Sequence, residues 1–213
     1  MQDVFDIIVN GTTLELESAL EREPELIDAR NEDGTSLALF AVYARKLEMV
    51  RSILLRDPKM NEFDFAAFGR RRALERLLDS NGELLEAMSS DGFTLLHIAC
   101  FCGQTSVAEM LLERGARADL PSANPMAVRP IHSAATRGAT EICELLLDHG
   151  ADPDAQQAGG WTALHTAANT GNRGLAKLLI ARGANIDRAA DEGKTALQLA
   201  RDAGHEELIE LLS

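Results

Sequence analysis

Aromatic side chains are scarce in this chain: one Trp, one Tyr and seven Phe make up 4% of its 213 residues. The apolar share of 46% is carried by small and aliphatic residues, Ala and Leu above all. That mixture suits short helices at close range, because Ala loses little side-chain entropy and lets helices approach. Only three cysteines occur, Cys100, Cys102 and Cys143, which excludes the dense disulfide framework of a small secreted domain. No apolar run approaches the length of a membrane span. The start, MQDVFDIIVNG, lacks the basic and long apolar regions of a signal peptide. The default compartment on these grounds is the cytosol; unconventional secretion would leave no mark in the sequence.

Basic excess is missing too. With 34 acidic and 21 basic residues the formal charge is −13, the wrong sign for a surface that follows a phosphate backbone. The acidity is uneven: residues 1–34 hold ten acidic groups against Arg22 and Arg30 alone. A solvated, solubilising end accounts for that excess, and a docking surface for a partner with a basic surface is the second reading. The only dense basic patch is Arg70, Arg71 and Arg72 with Arg76 one turn on. It reads either as a solvated turn or as an acceptor for an acidic segment.

What the chain does have is a repeated unit. DGFTLLHIACFCGQTSVAEMLLERGA begins at Asp91, RPIHSAATRGATEICELLLDHGA at Arg129, GGWTALHTAANTGNRGLAKLLIARGA at Gly159 and DEGKTALQLARDAGHEELIELL at Asp191. The apolar anchors Leu96, Ile131, Leu164 and Leu197 are spaced 35, 33 and 33 residues apart. A fixed period in this range signals stacked helical units, none of which buries its apolar face alone. Several features keep phase: a TxLHxA-like stretch, a Gly seven residues past the anchor, an aliphatic pair near fifteen and Gly-Ala at nineteen. These residues resemble the ankyrin repeat. Three weaker units precede them, anchored at Val4, Ala38 and Phe63, the third with Arg70 where its neighbours carry Gly. The expectation is one all-α, ankyrin-like solenoid domain over 1–213, with caps at both ends. Its units fall near 1–32, 33–58, 59–90, 91–123, 124–158, 159–190 and 191–213.

Each unit should form a helix, a tight turn, a second helix and a projecting loop. Thr94, Thr162 and Thr195 stand where a hydroxyl caps a helix start. Gly103, Gly138, Gly171 and Gly204 stand where the chain leaves the helix with positive φ. The loop RADLPSANPMAVR is two residues longer than the regular repeat and rich in Pro, so a stiff finger is expected there.

No phosphate loop, GxSxG, HExxH or calcium loop is present. His97, His132 and His165 recur once per unit, which would set them roughly 10 Å apart, far beyond a shared metal. The ankyrin resemblance implies that each His bonds between its helix start and the adjoining loop. Cys100 and Cys143 fall in small buried positions, whereas Cys102 is expected at the surface. The resemblance further implies a non-enzymatic scaffold, without cofactor or metal, that binds a protein through its concave face and is monomeric when free. Carried over by phase, the contact candidates are Phe93, Phe101, Cys102, Thr136, Arg137, Trp161, Asn169, Thr170 and Lys194. For the aromatics, packing against the neighbouring loop is the competing reading. A self-associating structural protein, or an enzyme with a site assembled across repeats, are the alternative functions. No nucleophile–base–orienter trio supports the enzyme.

Overall fold

The computed structural model describes residues 3–213. Among them fourteen α-helices run in pairs: α1 (Val4–Asn10) with α2 (Thr13–Arg22), α3 (Leu37–Tyr43) with α4 (Leu47–Leu54), and α5 (Glu62–Ala67) with α6 (Arg71–Ser80). Then come α7 (Leu95–Cys102) with α8 (Thr105–Glu113), and α9 (Pro130–Arg137) with α10 (Thr140–Asp148). The series ends with α11 (Ala163–Thr170) and α12 (Arg173–Ala181), then α13 (Ala196–Ala203) and α14 (Glu206–Leu212). The described residues contain no strand, only isolated bridges such as Met88 to Thr94. No helix among them is long and apolar enough to cross a membrane.

Two compact units result, one ending at Phe65 and one running from Ala66 to Ser213, with the division inside α5. In the first, α3 packs on α1 and α4 on α2 around Ile8, Leu16, Leu37 and Ile53, all fully buried. In the second, α7, α9, α11 and α13 form one row and α6, α8, α10, α12 and α14 a second. Leu96, Leu111, Ile131, Ile142 and Leu146 lie between the rows. Burying an aliphatic side chain of this size contributes about 2 kcal/mol. The stacked cores, and not helices of six to ten residues, therefore hold the elements in place.

The helix–helix turn is one device used five times. The amide after the turn residue bonds the carbonyl five residues back: Lys46 to Ala41, Gln104 to Ala99, Ala139 to Ala134, Asn172 to Ala167 and His205 to Ala200, at 2.9–3.0 Å. This closure needs a left-handed residue, supplied by Gly103, Gly138, Gly171 and Gly204. In the second pair Arg45 takes that conformation at φ 58°, which costs a residue with a Cβ about 1–2 kcal/mol.

Three local features depart from the regular unit. The third pair turns at Gly69, with φ 67°, and not at Arg70: its turn has lost one residue. Gly11, in the first pair, is extended at φ −93° and ends its helix through a direct bond to Ile7 O. Two 3-10 turns, Pro24–Asp28 and Gly82–Glu86, fill what reads as plain loop in the sequence.

Beyond the helices, the chain forms small hairpins. Asn31 N bonds Thr35 O, Ser89 N bonds Phe93 O, Gln157 N bonds Trp161 O and Ala190 N bonds Lys194 O. The Pro-rich finger closes in the same way but over two more residues, Ser122 N to Val128 O. In the second unit these tips join one another: Ala123 N donates to Gly92 O, Ala158 N to Met126 O and Asp191 N to Gly159 O. Gly92 is required twice over. Its φ is 84°, and a Cβ there would come within 2.8 Å of Asn124 N.

Candidate functional site

The candidate residues are positioned by the starts of the first helices. Thr94 Oγ1 accepts from His97 N, and His97 Nδ1 accepts from Thr94 N at 3.2 Å. Thr162 and His165 repeat this arrangement, and Arg129 N donates to His132 Nδ1 at 3.0 Å. With Nδ1 accepting, each ring carries its proton on Nε2 and donates it to the next loop. The acceptors are Val128 O at 2.9 Å, Ala155 O at 2.9 Å and Lys194 O at 3.1 Å. All three histidines are buried, each 1% exposed. Burial holds His97 and His132 down to about 4 and lowers His165 as well. These rings are neutral struts between units, and no side-chain cluster able to hold a metal occurs among the described residues.

Two pairs use other residues for the same cap. Thr195 N donates to Gln198 Oε1 at 2.8 Å, and Asn61 N donates to Asp64 Oδ2 at 3.0 Å. Asp64 is 1% exposed and also binds Arg30 Nη2 at 3.2 Å, while Ser36 Oγ donates to its other oxygen. Ser36 in turn caps α3 by accepting from Leu39 N. The carboxylate thus ties a hairpin, a helix start and the start of α5 together. Nothing in the repeat pattern marks Asp64, because it departs from that pattern.

The aromatic candidates sit against the histidines. Phe93 lies 5.7 Å from the His97 ring and Trp161 5.9 Å from His165, centroid to centroid. Both are half-buried, so a large part of each ring serves the fold. Phe101 and Cys102 are half-buried as well, and Cys102 is not the surface thiol that its position suggests. Burial pushes it up to about 11 against the opposing pull of Arg137, and pushes Cys143 up to about 12. Neither is a thiolate at neutral pH. The open residues are Thr136 and Arg137 at the end of α9, then Asn169 and Thr170 at the end of α11. Arg137 reaches back over the previous turn, its Nε 3.5 Å from where a Cβ on Gly103 would stand. Lys194 is exposed and pairs with Asp202 at 2.7 Å.

The four arginines of the basic patch have different surroundings. Arg71 binds Glu75 at 2.8 Å and crosses to Glu109 and Glu113 on α8. Arg76 Nε donates to Arg72 O, while Arg70 and Arg72 are exposed. Arg71 belongs to a series of cross-links along the second helices that includes Arg114–Asp79 and Arg182 with Glu144 and Asp148. The spacing of 34 to 38 residues between most of these partners was the signal available in the sequence. At this exposure each such pair contributes about 0–1 kcal/mol.

A family description built on ankyrin repeats, in three copies, matches residues 63–157 and 131–213. Together these cover more than two thirds of the chain. The chain belongs to the ankyrin repeat family. The Thr–His caps, the left-handed turn glycines and the tip hairpins are thus its ankyrin framework, and the exposed residues at the ends of α9 and α11 are what that framework displays. The match begins at Phe63, so the first two helix pairs lie outside it. No curated protein matches the chain.

Proposed function

We propose that this ankyrin protein is a non-enzymatic scaffold that recognises another protein through the concave face of its fourth to sixth units. The observation that carries the reading is a division of labour within those units. Backbone amides, capping threonines and buried histidines fix the first helices and hairpins. Thr136, Arg137, Asn169 and Thr170 stay exposed on consecutive helix ends. A surface fixed in advance loses little conformational freedom when a partner docks. Phe93 and Trp161 contribute their exposed edges beside this strip, Phe101 and Cys102 its upstream margin and Lys194 its downstream one. The acidic surplus favours encounter with a partner carrying a basic surface.

The test uses the exposed residues, because truncating Phe93 or Trp161 would also loosen a histidine strut. An Arg137→Glu, Thr170→Arg double variant should keep its far-UV circular dichroism and melting temperature. In affinity capture from a native extract it should lose the protein retained by the unaltered chain. Retention of that protein by the folded variant would place recognition elsewhere.

A further inference from the structure

The outward side of the first helix pair carries an open cleft of about 710 Å³ between α1, α2 and the 3-10 turn that follows. Its floor is apolar: Val4 and Ile7 from α1, Leu14 from α2 and Leu26 from the turn. Leu14 is 71% exposed, in a helix whose start is fixed by a capping box at Thr12 and Glu15. Asp3, Glu15 and Glu23 stand along the rim. Two arginines also line the cleft, but both are turned to other acceptors. Arg22 Nε donates to Ser18 O at 3.2 Å, and Arg30 binds Asp64. Glu21 and Glu25 extend the negative border as exposed neighbours in sequence.

The shape has a counterpart inside the protein. In the stacked units, apolar residues of one helix pair are covered by the helices of the next. The cleft is lined by α1, α2 and the segment from Glu23 to Arg30, and no other helix among the described residues contributes to it. We infer that this cleft is a second docking site, for an amphipathic helix with a leucine-type apolar stripe flanked by lysine or arginine. The stripe would cover Leu14 and Leu26 while the cations meet Asp3, Glu15 and Glu23. Charge selects this occupant. Residues 3–30 hold eight acidic groups against Arg22 and Arg30, the latter already paired with Asp64, so an acidic helix or a second copy of this acidic end would meet repulsion. The site shares no residue with the concave strip and stands or falls separately from it.

The full chain would be titrated with a labelled amphipathic Leu/Lys peptide of about five helical turns, and with an Ala/Lys peptide of identical length and charge. The Leu/Lys peptide should bind and shift backbone NMR signals within residues 4–30. Leu14→Ser, a change at an exposed position, should weaken it by about tenfold or more, as loss of a central apolar anchor does. The same substitution at exposed Met126 should leave binding unchanged. Equal binding of the two peptides would reduce the cleft to unspecific charge attraction and overturn the proposal. So would undiminished binding by Leu14→Ser, absence of binding, or a dimer in sedimentation that Leu14→Ser dissolves.

Discussion

Acidification should destabilise this protein well above the pH at which most carboxylates protonate, and the buried histidines give the reason. His97 and His132 sit near 4 in the folded chain against 6.5 for an unhindered imidazole. Geometry and burial act together, since a proton arriving at Nδ1 would face the amide N–H that Nδ1 now accepts from. Below pH 6.5 the unfolded chain binds protons that the folded chain refuses, so stability falls as pH falls, until the folded sites titrate near 4. Between pH 7 and pH 5 this removes about 2 kcal/mol per histidine. For the two together that is roughly 4 kcal/mol, against a total stability on the order of 5–15 kcal/mol for a domain. His165 is shifted in the same direction and adds to the loss, while Asp119, raised by burial, opposes it. Urea unfolding at pH 7 and pH 5, followed by circular dichroism, measures the difference. His97→Gln and His132→Gln should each remove a share of it, glutamine being the residue already used at this cap in the last unit. If either ring titrates near 6.5 by NMR in the folded protein, or if stability is level from pH 7 to 5, the reasoning fails.

Two further substitutions separate packing from conformation. Asp64→Ala leaves Arg30, Ser36 and the Asn61 amide without their shared acceptor, and should destabilise the first unit by about 2–4 kcal/mol, with part retained in Asp64→Asn. Hydrogen exchange of amides between 3 and 65 would report it, and unchanged protection would show the carboxylate to be dispensable. Gly92→Ala should cost more than Gly193→Ala, which has φ 78° but open space around it. The conformational share is about 1 kcal/mol in both, and only Gly92 adds a backbone collision; equal melting temperatures would contradict that.

Much of this arrangement was legible in the sequence because its determinants are local and recur. A Thr three residues before a His and a Gly seven past an aliphatic anchor each specify one backbone geometry, and repetition separates them from chance. Where the chain deviates, periodicity gives the wrong register. Around Gly69 a deletion shifts the turn, while Asn61 and Asp64 perform the cap with different chemistry. The 3-10 turns are too short to show a helical period, although PELIDARNEDGTS and GELLEAMSSDGFT, 58 residues apart, share a visible pattern. The surface candidates were legible only as positions. That Phe93 and Trp161 lean on the histidines of their own helix starts depends on how each hairpin folds back, and that Arg71 reaches Glu109 and Glu113 beyond its own Glu75 depends on a neighbour one unit away.

The finger from Ser122 to Val128 shows where this protein can take on new chain. It holds two residues more than the other hairpins, yet its margins keep the links of a regular tip: Ala123 to Gly92 on one side and Met126 to Ala158 on the other. The surplus, Asn124 and Pro125, is absorbed between those two bonds, Ala127 just beyond them turns the chain at φ 46°, and the units on either side keep their register. Added length at a hairpin tip is thus insulated from the stack. Natural variation or a grafted peptide can lengthen one tip at a time, provided the two bordering hydrogen bonds survive.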